Sequence, residues 1–398
     1  MHGADIQLKE IESALLAEEL TFHYQPKVSF LTGEIIGCEA LLRWLNPDGT
    51  VILPDDFLPQ AESSGFITEI TAVMLPKLIE DIEALRAVKS DIQVAFNISA
   101  LDLRSPYLVK MLRSFIGGRR IDPGNIQIEI TETAVVDASE RVRTGLLDLV
   151  ALGIELVMDD YGTGYSSLEM LSRMPFSALK LDQGVVRRMT EDAKNTHIVR
   201  SSLYLARELS IKTVAEGVET AAIYAFLLAS GCNEAQGFWI GEAASRDDFV
   251  ALCKQRRRWP ASSYGLLYNA WVNHISYRQK VLDLVHTLML TKPGEWGQLP
   301  KMELSHSPAR CRLGQWYRDA SHGGGSPDYM RLEGPHRLMH AAGESLVRAA
   351  QSNPEPDVVI KAIKAFLEYS DVVDAEVSNI VERWMEKSLR QSLRPDDE

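Results

Sequence analysis

The chain has 398 residues, enough for about two to three domains of ordinary size with a sizeable core. Hydrophobic residues make up 45% and charged ones 24%, and no run of about 18 apolar positions occurs, so an integral membrane protein is excluded and a soluble globular one expected. The net charge of -13, from 55 acidic against 42 basic residues, argues against binding to a nucleic-acid polymer, although a local cationic pocket remains compatible with it.

Eight short β-rich runs alternate with helical patterns through the first 240 or so residues. They lie near Thr21 to Gln25, Ile35 to Leu42, Ile92 to Ile98, Ile126 to Ile130, Ile154 to Met158, Ala178 to Leu181, Ile211 to Ala215 and Gly237 to Ile240. Eight such units in about 250 residues fit an α/β fold of the modified TIM (β/α)8 barrel type, with the first two strands reading as a hairpin. After Cys253 a basic run, a proline and small residues break the pattern, which places a first domain at 1–258, a linker at 259–265 and a second domain at 266–398. Beyond Leu266 long apolar-periodic segments dominate, notably Ala270 to Leu290 and Asp357 to Leu389, so the second domain reads as all-α. The four cysteines Cys38, Cys232, Cys253 and Cys311 are too sparse for a disulfide framework. Together with a first segment that lacks a basic-then-apolar secretory pattern, they lead to an expectation of cytoplasmic residence.

Barrel active sites are assembled from side chains at the carboxy-terminal ends of several strands, and nearly every candidate strand delivers a polar one there. Glu39, Asn97, Glu129, the pair Asp159 and Asp160, Lys180 and Glu216 all sit in or just after these runs. Five carboxylates converging on one mouth repel each other unless neutralised, and hard divalent cations, Mg²⁺ or Mn²⁺, neutralise such a cluster most naturally. Adjacent aspartates suit two ions sharing one carboxylate, which makes phosphoester hydrolysis the leading reaction class. Lys180 supplies a point charge and Arg43 a planar fork suited to a phosphate.

These residues resemble a family, the EAL-domain cyclic di-GMP phosphodiesterases, over roughly Glu10 to Gln255. The likeness rests on Tyr24-Gln25-Pro26-Lys27, Glu39-Ala40-Leu41 through Arg43, Asn97-Ile98-Ser99, Glu129-Ile130-Thr131-Glu132, Asp159 through Gly164, Lys180-Leu181-Asp182, Glu216-Gly217-Val218-Glu219 and Gln236-Gly237. It implies hydrolysis of cyclic di-GMP to linear pGpG. Glu39, Asn97, Glu129 and Asp159 would hold one cation, and Asp159, Asp160 and Glu216 the second. Lys180 would hold the attacking water, while Gln25, Arg43, Gln236 and Asp182 would contact the substrate. Glu132 and Glu219 would order loops, and Gly162 and Gly164 would let the loop after Asp160 turn tightly. Tyr161, Leu181 and Ala243 depart from the family pattern without removing a ligand. The alternative is an inactive cyclic di-GMP receptor that signals through its second domain to a protein partner.

Six of nine histidines fall in the second domain. His336 and His340 are four apart behind Pro335, which reads as the start of a helix with both imidazoles on one face. With His274 and Cys311 they offer donors that suit tetrahedral Zn²⁺. His286, His306 and His322 read as surface residues, and Trp271 and Trp316 as core. The Cys-x-Leu-Gly-x-Trp run at Cys311, Pro-His-x-x-x-His at Pro335 and the segment around His274 together resemble the chemoreceptor zinc-binding domain family over roughly Leu266 to Leu389. That likeness implies zinc on His274, Cys311, His336 and His340 in a four-helix-bundle regulatory domain that forms a homodimer. Tyr277 stands where the family has tryptophan. A lone thiolate among imidazoles also suits regulation by zinc or by oxidation of Cys311.

Overall fold

In the computed structural model, the described residues are 6–132, 134, 139–162, 171, 174–209, 211–261, 263–299, 307–308, 311, 313–314, 330–352 and 356–392, and they divide into two compact units, Met1–Ser262 and Ser263–Glu398. No helix among the described residues is long and apolar enough to cross a membrane.

The first unit is the expected barrel. Its strands are β1 (Leu20–Ser29), β2 (Ile35–Leu45), β3 (Val51–Ile52), β4 (Gln93–Asn97), β5 (Ile126–Thr131), β6 (Glu155–Tyr161), β7 (Ala178–Leu181), β8 (Lys212–Ala215) and β9 (Glu234–Gln236). The order β1-β9-β8-β7-β6-β5-β4-β2-β3, with β1 also pairing β2, closes eight strands into a ring and leaves β3 as an appendage. β1 runs antiparallel to both neighbours, whereas β2 and β4 to β9 run parallel. Alternation along each strand decides what faces where. On β5, Ile126, Ile128 and Ile130 are buried in the main apolar core, while Gln127 and Glu129, also buried, alternate with them toward the barrel interior. Below the mouth, Val157, Ala178 and Val214 form a separate small interior cluster.

The last strand lies at Glu234–Gln236 and not at 237–240. Apolar content pointed to the wrong residues, because the interior side chains of β9 are Glu234 and Gln236, satisfied by polar partners inside the barrel. Trp259 and Pro260, read from sequence as linker, pack on the barrel. The Trp259 N–H donates to the Gly33 carbonyl at 2.9 Å and the Tyr224 hydroxyl donates to the Pro260 carbonyl at 2.8 Å. Gly33, at φ 67°, is required there, since a Cβ would stand 2.1 Å from the Trp259 oxygen.

Asp102, in the turn after β4, is only 4% exposed and accepts the Ser99 N–H at 2.9 Å. Burial pushes its carboxyl up to about 6 from the ordinary 3.8, against the pull of hydrogen bonds from Ser99 and Thr71. A folded-state value above the unfolded one means that the native state keeps this proton longer. The associated stability is therefore complete below the unfolded value and lost as pH rises through the folded value. Relative to Asp102→Asn, the wild-type chain is expected to lose about 3 kcal/mol of unfolding free energy between roughly pH 4 and pH 7. Urea unfolding of both proteins at the two pH values measures this difference, and equal slopes would contradict it.

The second unit has three long helices among its described residues, Ser263–Leu290, Met330–Gln351 and Pro356–Ser392. Each carries a buried stripe at alternating three- and four-residue steps. Leu332, His336, Met339 and Leu346 form one, and Val359, Phe366, Ser370, Val373, Val377 and Ile380 another. These are three of the four helices that the resemblance implies, and Gly164, His306, His322 and Trp316 lie outside the described residues. Pro335 lies inside its helix and does not start it. In the first turns it forfeits one backbone bond, and the extra turn before it is tolerated for that reason. Trp271 is partly buried against the core, as read, with its indole N–H donating to Asp374 at 2.7 Å, and His286 is exposed.

Candidate functional site

The barrel mouth opens into a cavity of about 890 Å³, within the range of ligand clefts. Gln25, Glu39, Arg43, Asn97, Asp159, Asp160, Glu216 and Gln236 all line it. Gln25 reaches the mouth because β1 runs against its neighbours, and register places it opposite Glu39. Two carboxylate groups with oxygens within 4.8 Å of one another emerge, Glu39 with Glu129 and Asp159, and Asp159 with Asp160 and Glu216. Asp159 belongs to both. Asn97 donates to Glu39 at 2.7 Å, and Gln236 donates to Glu39 at 2.6 Å and to Gln25 at 3.0 Å.

Lys180 lies at the centre and is fully buried. Its ammonium stands 3.2 Å from Glu39, 2.6 Å from Glu129, 3.2 Å from Asp159 and 2.5 Å from Glu216. Burial alone would strip its proton, but Asp159, Glu129, Glu216 and Glu39 hold it well above the usual lysine range. For Glu39, burial pushes the carboxyl up, yet Lys180 and the Gln236 and Asn97 hydrogen bonds outweigh it and the net shift is downward. Burial and the neighbouring Glu39 raise Glu129 well above its ordinary value, and burial with Asp159 and Glu39 raises Glu216 to about 8 despite Lys180. Asp160 is raised by burial and by Asp159 and Asp182. One ammonium thus leaves the cluster short of positive charge, and clustered hard oxygen donors fit divalent cations.

Asp160 adopts φ 57°, a left-handed conformation uncommon outside glycine, with its N–H donating to the Asp159 carboxylate at 2.9 Å. Gly162 follows at φ 103°. Asp182 accepts the Val185 N–H at 3.1 Å as the cap of a short helix and does not line the cavity. Glu219 pairs with Arg187 at 2.6 Å, and it is Arg187 that lines the cavity. Both oxygens of the buried Glu132 lack a hydrogen-bond partner among the described residues. Sequence reading missed Arg104, Arg187 and Phe238 on the cavity wall. Phe238 is the notable one, because a phenylalanine 61% exposed inside a cleft offers a stacking face, and its position directly after Gln236-Gly237 was the available signal.

In the second unit His274, Cys311, His336 and His340 bring one donor each within 4.8 Å of the others. The Nε2 atoms of His336 and His340 are 3.2 Å apart, and the Cys311 sulfur is 4.0 Å from the His274 Nδ1. Tetrahedral bonds of about 2.0 Å to nitrogen and 2.3 Å to sulfur place donors about 3.3 to 3.6 Å apart, so this set fits zinc. Burial, then His336 and His340, push the His274 imidazole well below its ordinary value, which keeps it neutral and able to ligate. Its Nε2 is buried without a hydrogen-bond partner among the described residues. The Tyr277 ring packs 4.3 Å from that of His340.

Comparison with known proteins finds a family match in each of the two units. The EAL domain model matches residues 8–243, and the chemoreceptor zinc-binding domain model matches residues 274–347. The bifunctional diguanylate cyclase/cyclic di-GMP phosphodiesterase MucR of Pseudomonas aeruginosa is 37% identical over 245 residues, covering 61% of this chain and 36% of that protein. The cyclic di-GMP phosphodiesterase PdeR of Escherichia coli is 35% identical over 228 residues, covering 57% of this chain and 34% of that protein. The chain thus spans about a third of the length of these curated relatives. A solved structure described as the PaMucR phosphodiesterase in complex with c-di-GMP superposes with a TM-score of 0.57 at 37% identity, over 61% of this chain and 98% of that one.

Proposed function

Since this chain belongs to the EAL domain family, we propose that its first unit hydrolyses cyclic di-GMP to linear pGpG with the help of two divalent cations, Mg²⁺ or Mn²⁺. The observation that carries this reading is the sharing of Asp159 by two carboxylate groups at the foot of the cavity. Glu39, Asn97, Glu129 and Asp159 would hold one ion and Asp159, Asp160 and Glu216 the other. When bound, the ions supply an acidified water and neutralise charge on the phosphodiester. Lys180, fixed by four carboxylates, presents N–H donors that orient the attacking oxygen. Arg43, half-buried on the wall, offers its fork to a phosphate, and Gln25 and Gln236 orient the dinucleotide. Asp182 acts on the site by capping the helix that carries Arg187, and Glu132 and Glu219 hold adjoining loops in place. Purified protein with Mn²⁺ and cyclic di-GMP is expected to release pGpG, followed by chromatography. Tight binding with no product would instead make the chain a receptor.

Phe238→Ala is expected to raise KM about ten-fold with kcat little changed, because stacking of a base on an aromatic ring is worth about 1 to 3 kcal/mol. Unaltered steady-state kinetics would remove Phe238 from the binding surface.

The second unit is proposed to bind zinc through His274, Cys311, His336 and His340 and to adjust turnover in response to zinc or to oxidation of Cys311. Turnover measured across buffered free zinc tests the coupling, and a constant rate with a filled site would refute it. The chain is further proposed to act as a homodimer in the cytoplasm, with a protein partner left open. Light scattering of the full chain decides the first point.

A further inference from the structure

Beneath the acidic mouth, beside the small apolar cluster of Val157, Ala178 and Val214, one side of the barrel interior is polar where TIM barrels ordinarily stack aliphatic side chains. Lys27, 1% exposed, donates to the Gln127 side-chain oxygen at 2.6 Å and stands 3.7 Å from Glu234. Gln127, also 1% exposed, donates in turn to Glu155 at 2.7 Å and to Gln93 at 3.4 Å. The chain of contacts crosses the barrel, since β1 and β5 are not neighbours in the sheet.

Each of its first three members sits two residues from a member of the proposed site on the same strand. Lys27 follows Gln25 on β1, Gln127 precedes Glu129 on β5, and Glu234 precedes Gln236 on β9. Period-two alternation therefore stacks this layer directly under Gln25, Glu129 and Gln236. Register sets Lys27 directly opposite Gln236 across β1 and β9, so the two share the interior face. The Lys27 charge is also felt at Glu129.

Burying an ion pair and two amides is unfavourable against an apolar filling of the same volume, so stability does not account for this layer. We infer that Lys27, through Gln127 and Glu234, is a positioning residue that fixes Glu129 and Gln236 at the height the divalent-cation site requires. The inference rests on the phosphodiesterase reading. Groups that hold ligand side chains in place affect metal affinity by about ten-fold or more, whereas a filler residue affects only folding.

The experiment compares full-length wild type with Lys27→Met and with Lys27→Met/Glu234→Met, the second variant removing both charges so that no ion is stranded in the interior. Mn²⁺ binding without substrate is read by electron paramagnetic resonance, and pGpG formation and thermal unfolding are read alongside. The double variant is expected to fold, to bind Mn²⁺ about ten-fold more weakly, and to recover kcat at high Mn²⁺ with KM for cyclic di-GMP little changed. Mn²⁺ affinity within about two-fold of wild type in a folded double variant would overturn the inference. Should Lys27→Met fail to fold, the double variant alone decides. Wild-type protein that binds Mn²⁺ but forms no pGpG would refute the phosphodiesterase reading, while the binding comparison still judges the positioning role.

Discussion

Asp159→Asn is expected to lower turnover of cyclic di-GMP by about a thousand-fold or more while leaving the metal-free protein as stable as wild type or more so. The loss follows from geometry, since the Asp159 carboxylate is the member common to both donor groups. An amide there offers one weaker oxygen where two cation positions each require an anionic one. Tolerance of the change follows from electrostatics. Four carboxylates crowd around the single Lys180 ammonium, so removing one negative charge relieves repulsion and still leaves the ammonium paired. Asparagine is also isosteric, and its oxygen can go on accepting the Asp160 N–H that now reaches Asp159 at 2.9 Å. Product chromatography and thermal unfolding in chelator give the two readouts. Asp102→Asn is the matched control, an acid-to-amide change at a buried carboxylate outside the cavity lining, and it should keep turnover near wild type. Turnover within about ten-fold of wild type for Asp159→Asn would remove the shared carboxylate from the mechanism.

The mouth of the barrel was legible because its chemistry is written at strand ends, where a lone Glu, Asn or Asp interrupts an aliphatic run such as Val94 to Ile98 or Ile126 to Ile130. The interior below it was not. Gln127 and Glu234 look like surface positions when read alone, and only the closure of β1 onto β9 shows that Lys27 meets them inside. The same blindness displaced β9, whose Glu-Ala-Gln sequence has no apolar alternation to detect. The resemblance implies a substrate contact for Asp182 and a loop-ordering role for Glu219; in the structure Asp182 caps a short helix and Glu219 pairs with Arg187, partners set by loop conformation that the sequence alone does not display. Pro335 misled for a local reason, because a proline signals a helix start only when nothing upstream extends the helix, and here Met330 to Gly334 do.

Removing zinc from the second unit is expected to unfold much of it while the barrel stays intact. His274 and His336 are fully buried on their helices, His336 within a stripe otherwise made of Leu332, Met339 and Leu346, and His340 is 1% exposed beside it. Imidazoles at such positions gain nothing from burial unless their nitrogens are bound, and an unsatisfied buried polar atom costs about 1 to 3 kcal/mol. Zinc held by four protein donors contributes on the order of 10 kcal/mol to a small domain's folding, comparable with the whole stability of an ordinary domain. Hydrogen exchange on the full chain with and without a zinc chelator should therefore show lost protection across 263–290 and 330–351, with β4 to β8 unchanged. Cys311→Ser should reproduce part of this loss in the presence of zinc, since a hydroxyl is a far poorer ligand than a thiolate. Helices that stay equally protected after complete zinc removal, verified by metal analysis, would show that the four donors are packed for some purpose other than holding the unit together.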